Sequence, residues 1–172
     1  MKKASQRTDG FRGGIQSGQV ATDSAARKLD KQLKDIAKEI RSEFPDLIWK
    51  TKLPNDIIAE CHISCAPDGG AWFKGDVLVA VFEAKKQGLQ GNAIERWFKN
   101  NYICRKMNSN VSYVTFCVGE GAGEDKVIQK TLDVAHESFN QFYPGDNSCF
   151  LSSEGFTNEQ IADIMRETLN AI

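Results

Sequence analysis

Residues 67–86 read Pro67-Asp68-Gly69-Gly70-Ala71-Trp72-Phe73-Lys74-Gly75-Asp76-Val77-Leu78-Val79-Ala80-Val81-Phe82-Glu83-Ala84-Lys85-Lys86. The opening Pro-Asp-Gly-Gly is a turn signal, because proline fixes φ and glycine supplies conformations closed to other residues. The apolar run behind it predicts one long strand at about 71–85. Period-2 alternation puts Val77, Val79, Val81, Glu83 and Lys85 on one face, and Leu78, Ala80, Phe82 and Ala84 on the other. An apolar strand therefore ends by pointing a carboxylate and an amine in the same direction.

The flanking segments supply the rest of a domain. Residues 1–22 are rich in Gly, Ser, Gln and Arg with little periodicity, and read as a flexible basic arm. A helix is expected at about 23–43, with Ala26, Leu29, Leu33, Ile36 and Ile40 at helical spacing. Asp23 or Ser24 would cap it, and Pro45 prevents its continuation. Short strands are expected at about 47–52 and 56–64. Beyond the long strand come a glycine loop at 88–91 and a helix at about 92–106 opening on Asn92. A strand at 111–118, a helix at about 124–142 and a strand near 148–152 follow. The last helix, at about 157–171, has capping-box spacing in Thr157 and Gln160 and an apolar stripe of Ile161, Ile164, Met165 and Leu169. The pattern is a mixed sheet flanked by helices, an α/β domain.

Composition bounds the function. At 172 residues, with 41% hydrophobic and 26% charged side chains, the chain is one ordinary globular domain; wholesale disorder, collagen and coiled coil do not fit. No apolar run approaches the roughly 18 residues a membrane span needs. The basic opening Met1-Lys2-Lys3 is not followed by an apolar stretch, so no secretory signal is expected. Five cysteines, at 61, 65, 104, 117 and 149, suit a reduced cytoplasmic compartment better than a disulfide scaffold. The formal net charge is −1, but residues 1–52 hold 12 basic and 7 acidic side chains while residues 111–172 hold 3 and 10. A cationic front half is compatible with a polyanionic partner. A solvated basic helix near the N-terminus is the simpler account of the charge pattern taken alone.

Asp68 in its glycine turn and Glu83 and Lys85 at the strand end form a set suited to phosphodiester hydrolysis. Two carboxylates suit Mg²⁺, with waters and phosphate oxygens completing the octahedron. The backbone carbonyl of Ala84 lies between the two side chains and offers a further ligand. A lysine beside the metal can orient or deprotonate the attacking water and balance charge on the crowded phosphate. The two glycines after Asp68 would let the backbone approach a ligand closely. Asp followed by Glu-x-Lys is common by chance, and a surface ion pair is its usual meaning. The segment behind it adds information. In Gly91-Asn92-Ala93-Ile94-Glu95-Arg96-Trp97-Phe98-Lys99-Asn100, the side chains of Asn92, Glu95, Arg96 and Lys99 share a helical face. Asn and Arg bond bidentately to adenine and guanine edges in the major groove. An amphipathic surface helix is the competing account.

Together, Pro67-Asp68-Gly69-Gly70, Glu83-Ala84-Lys85-Lys86-Gln87-Gly88 and Gly91-Asn92-Ala93-Ile94-Glu95-Arg96 with Lys99-Asn100 closely resemble the EcoRI/MunI group of type II restriction endonucleases, in the PD-(D/E)xK nuclease superfamily. The likeness is strong over residues 67–100 and looser over 43–47 and 111–119. It implies a restriction-endonuclease-like mixed β-sheet flanked by α-helices, with residues 23–172 as one nuclease domain. It further implies that Asp68, Glu83 and the Ala84 carbonyl bind Mg²⁺ and that Lys85 assists the attacking water. Asn92, Ala93 and Arg96 would read bases, Glu95 would hold the arginines of two subunits in register, and Lys99 would belong to the same DNA-binding segment. Lys86 would touch phosphate or stay solvated. The implied substrate is double-stranded DNA with a palindromic AATT core, cut by a homodimer to leave 5′-phosphates, in a bacterial cytoplasm holding a cognate DNA methyltransferase. The chain is considerably shorter than EcoRI and lacks its insertion between Lys85 and Asn92, so reading of flanking base pairs stays open. A repair or structure-selective nuclease of the same superfamily, or a DNA-binding module that no longer cleaves, are the alternatives.

Other motifs point nowhere specific. Cys61-His62 with Cys65 is an incomplete zinc set. His136 has no nearby nucleophile in the sequence. Gly119 to Gly123 lacks the Lys-Ser/Thr of a phosphate loop. Trp72 and Trp97 are expected to pack rather than stack on bases.

Overall fold

The computed structural model describes residues 17–54, 65–86, 92–118, 133–134, 137, 148–153 and 155–172. Helix α1 (Ser17–Ile40) leads through a 3-10 turn (Arg41–Glu43) to strand β1 (Ile48–Lys50). Strands β2 (Ala71–Lys74) and β3 (Val77–Lys86) form a hairpin. Helix α2 (Asn92–Met107), strand β4 (Ser112–Val118), strand β5 (Ser148–Ser152) and helix α3 (Asn158–Asn170) follow. Among the described residues the sheet has five strands in the order β1-β2-β3-β4-β5. Its first three strands are antiparallel, and β3, β4 and β5 run parallel. A parallel neighbour requires a crossover, and α2 provides it between β3 and β4. The mixed sheet with flanking helices is an α/β architecture.

The two faces of the sheet carry different cores. Leu29, Leu33, Ile36, Ala37 and Ile40 of α1 and Ile161, Ala162, Met165 and Leu169 of α3 pack on Trp72, Ala80, Phe82, Ala84, Val114 and Phe116. On the opposite face Ile103 and Cys104 of α2 pack on Phe73, Leu78, Val81 and Tyr113, joined by Leu53 and Cys65. The expected capping box is present: Thr157 Oγ1 accepts from the Gln160 N–H at 3.2 Å, and Gln160 Oε1 accepts from the Thr157 N–H at 2.9 Å. Arg166 then ties α3 to the 3-10 turn through two bonds to Glu43, at 2.9 and 3.0 Å.

Three expectations are corrected. Helix α1 starts at Ser17, so residues 17–22 belong to it rather than to an arm, and Asp23 and Ser24 lie inside the helix instead of capping it. Once a helix is nucleated, each further residue adds a hydrogen bond at little cost, and weak periodicity does not stop it. The run 71–85 is two strands, split at Gly75 and Asp76, where Gly75 takes φ +62°. The alternation along β3 is broken as well. Trp72 pairs with Ala80 but Phe73 pairs with Leu78, leaving Val79 as an extra residue. This bulge turns Val79 to the α1 side beside Ala80 and Leu78 to the α2 side with Val81. Beyond it, alternation holds and Glu83 faces α2.

Trp72 is wholly buried, as expected of a packing residue. Cys65, Cys104 and Cys117 are buried too. A hydrogen bond with Cys65, together with burial, pushes the Cys104 thiol well above its ordinary range, and burial pushes Cys117 up to about 12. Such thiols are inert packing groups. Among the described residues no helix is long and apolar enough to cross a membrane. Residues 1–16, the expected strand 56–64 with Cys61 and His62, the loop 88–91 and the glycines at 119–123 lie outside the described residues. So do His136, most of the helix expected at 124–142, and the side chain of Trp97.

Candidate active site

The turn that carries Asp68 is fastened to the end of β3. The Gly70 N–H donates to Pro67 O at 3.0 Å and closes the turn. The Gly69 N–H donates to Phe82 O at 2.9 Å, and the Phe82 N–H donates to Gly70 O at 3.3 Å. Trp49 Nε1 donates to Gly69 O at 3.1 Å. A Cβ on Gly69 would stand 2.6 Å from Phe82 Cβ, and one on Gly70 would stand 2.1 Å from Trp49 Nε1. The close approach these glycines permit is thus to β3 and Trp49. It sets the position of Asp68, whose Oδ2 accepts from the Ala84 N–H at 2.9 Å. Asp68 is therefore held at the strand position between Glu83 and Lys85.

Glu83 is 4% exposed, and its two oxygens differ. Oε1 is paired with Lys85 Nζ and accepts from Asn100 Nδ2 of α2 at 3.4 Å. Oε2 is buried and has no hydrogen-bond partner among the described residues. Burial pushes the Glu83 carboxyl up to about 7; the Lys85 ammonium pulls it down and the Asp68 carboxylate pushes it further up. Burial also raises Asp68, against the opposing hydrogen bond from Ala84 and the charge of Lys85. A third carboxylate, Asp30 of α1, is raised to about 6 by burial and by the nearby charge of Asp68. In all three acids burial is the largest cause, disfavouring the charged form, and the charge of Lys85 works against it.

The donor set fits a hard cation. An orphaned, buried carboxylate oxygen beside a second carboxylate is what Mg²⁺ uses, with waters and substrate oxygens as its other ligands. Among the described residues no group of three or more His, Cys, Asp and Glu side chains could hold a metal, so a closed structural zinc site is not formed there.

The remaining expected site residues divide in two. Ala84 lies on β3 with its N–H committed to Asp68. Lys99 is an exposed residue of α2. Asn92, Ala93, Glu95 and Arg96 occupy the first turns of α2, which packs over the Glu83 face of the sheet, and Lys86 ends β3. The side chains of these five lie outside the described residues. Two contributors escaped sequence reasoning. Asn100 shares the sheet-facing stripe of α2 with Ile103 and Cys104, so a polar residue on an otherwise buried stripe was the available signal. Asp30 follows Leu29 on α1 and carries no signal without knowledge of what the helix packs against. No family model, curated protein or solved structure matches the chain.

Proposed function

We propose that the protein is a Mg²⁺-dependent type II restriction endonuclease, hydrolysing double-stranded DNA at a palindrome with an AATT core. The observation that carries this reading is the joining of Asp68 to the Glu83–Lys85 strand end, with one Glu83 oxygen buried and unpartnered. Asp68, Glu83 and the Ala84 carbonyl would hold the ion, which when bound neutralises phosphate charge and supplies an activated water. Lys85, on the same face as Glu83, would orient that water and offset charge on the phosphate. The mixed sheet suits a restriction-endonuclease-like core. Helix α2 begins six residues after Lys86, which would set Asn92, Ala93, Glu95, Arg96 and Lys99 against the bases next to the scissile phosphate. A palindrome asks for a two-fold protein, so the working form would be a homodimer, each subunit cutting one strand. Its host would need a methyltransferase protecting the same site.

The test uses purified protein and its Glu83→Ala variant with plasmid DNA, in Mg²⁺ and in EDTA, with sequencing of the fragment ends. Discrete Mg²⁺-dependent fragments sharing AATT, with 5′-phosphates, and none from the variant, are expected. Cleavage without an AATT preference would favour a repair or structure-selective nuclease. Intact DNA that is nonetheless bound would leave a binding module.

A further inference from the structure

A cleft of about 440 Å³ opens beside Asp68, on the α1 side of the turn. Its walls include Arg27, Asp30, Lys31 and Lys34 of α1, Thr51, and Asp68 itself. The four α1 residues fall at i, i+3, i+4 and i+7 and so share one helical face. The three cations are exposed, and among the described residues none of them is ion-paired. Lys38 is paired with Asp35, Lys85 with Glu83, and Arg166 with Glu43, Glu159 and Asp163. The cleft is therefore lined by three unpaired cations and the half-buried Asp30 carboxylate on α1, and by the half-buried Asp68 carboxylate of the turn.

The geometry suits a chain of anions better than one anion. From Arg27 to Lys34 the helix advances roughly 10 Å. One strand of duplex DNA carries a phosphate every ~3.4 Å of axial rise, so the row matches about three nucleotides. A single small anion would sit against the carboxylates and be repelled. A backbone running along the row places successive phosphates on Arg27, Lys31 and Lys34, whose three charges outweigh the one carboxylate, Asp30, that shares their face.

We propose that the Arg27–Lys31–Lys34 face of α1 binds the sugar–phosphate backbone of the strand lying against Asp68, without regard to sequence. The inference rests on the nucleic-acid reading above and extends it to residues which that reading does not use. Base reading by α2 and backbone binding by α1 would then come from opposite faces of the sheet.

The experiment compares the full-length wild type, the Arg27→Ala/Lys31→Ala/Lys34→Ala variant and a charge-matched Lys28→Ala/Lys38→Ala/Lys74→Ala variant. Fluorescent duplexes with and without AATT are titrated in Ca²⁺ and in EDTA over a range of NaCl concentrations, and Mg²⁺-dependent cleavage is followed separately. Each lost phosphate contact lowers the slope of log K against log salt by about 0.9. The α1 variant is expected to lose about 2 to 3 in slope and to bind both duplexes more weakly by the same factor. The charge-matched variant should lose less than about 1. Lys31→Gln alone should lose about 1, which keeps the test alive if the triple variant unfolds. Equal losses in the α1 and charge-matched variants would overturn the proposal, as would an unchanged slope or a wild type that binds no duplex. A wild type that binds with the expected slopes but never cleaves supports this site and refutes the nuclease. A wild type that cleaves while the α1 variant keeps its slope refutes this site alone.

Discussion

Alanine at Gly70 should be far more damaging than alanine at Gly75, although both glycines have positive φ, +82° and +62°. An L-residue in that region costs about 1–2 kcal/mol by sterics with its own backbone. At Gly75, in the β2–β3 turn, a Cβ would meet nothing within 4 Å, so that cost stands alone. At Gly70 the Cβ would lie 2.1 Å from Trp49 Nε1, 2.8 Å from Trp49 Cδ1 and 2.9 Å from Lys50 O. Trp49 must move, which adds roughly 1–3 kcal/mol of overpacking. The Trp49 bond to Gly69 O goes with it, for about 1 kcal/mol more. The expected losses are roughly 1–2 kcal/mol at Gly75 and roughly 3–6 kcal/mol at Gly70. Urea titrations reading the midpoint at constant m would measure both. Equal losses would show that the contacts around the Asp68 turn carry no energy and would refute the account of how Asp68 is positioned. Cleavage should follow stability only in the Gly70 variant, where the turn itself is displaced.

Asn100→Ala should slow single-turnover cleavage about fivefold, near 1 kcal/mol for one long hydrogen bond to a carboxylate, while duplex affinity in Ca²⁺ stays unchanged; an unchanged rate would remove Asn100 from the site. Thr157→Ala should cost about 1 kcal/mol through loss of the capping box, with Thr157→Ser close to wild type; equal thermal midpoints for all three proteins would contradict the cap. The Glu43 carboxyl is held below its ordinary range chiefly by its hydrogen bonds from Arg166. A depressed carboxylate contributes stability above its unfolded pKa of 4.5 that is lost as pH falls through the folded value. The difference in thermal midpoint between wild type and Arg166→Gln should therefore be largest near neutral pH and shrink in acid and in high salt. A difference independent of pH would mean that Arg166 acts by packing alone.

What could be read from the sequence is what local physics determines. The α3 cap needs only residues 157–160, and its stripe only helical spacing, so both are as expected. The bulge at Val79 is different. In Val77-Leu78-Val79-Ala80-Val81 every residue is apolar, so nothing in the run distinguishes one face from the other, and the register comes from pairing with Trp72 and Phe73. The split at Gly75, by contrast, has a local signal, since a glycine between the charged Lys74 and Asp76 interrupts the apolar run as a hairpin turn does. At the site, Glu83 and Lys85 were legible because two residues on one strand share a face whatever the tertiary fold. That Asp68 bonds the N–H between them follows from a sixteen-residue return of the chain through the hairpin. The involvement of Asn100 and Asp30 needs the docking of two helices on opposite faces.

Chemistry at this end of β3 would explain polar groups that cost the fold stability. Leaving one buried polar group unpaired costs about 1–3 kcal/mol, and more for a charged one. Glu83 Oε2, Tyr113 Oη and Thr115 Oγ1 are all buried without a hydrogen-bond partner among the described residues. They are also neighbours in the sheet. Glu83 and Thr115 are register partners across β3 and β4, which puts them on the same face, and Tyr113 lies two residues before Thr115 on that face. The Glu83 charge in turn helps to push the Tyr113 hydroxyl well above its ordinary range, after burial. A sequence shaped by stability alone would fill such a patch with apolar side chains, as Val81 and Leu78 do one step earlier on the same face. The polar patch starts where the apolar strand meets the Asp68 turn and the Asn100 side of α2. A cation and its waters at Glu83 would satisfy the orphaned carboxylate oxygen, and nothing else among the described residues does. Glu83→Leu should accordingly raise the unfolding free energy of the metal-free protein while removing cleavage, and a variant that loses both would mean that the carboxylate belongs to the fold rather than to the chemistry.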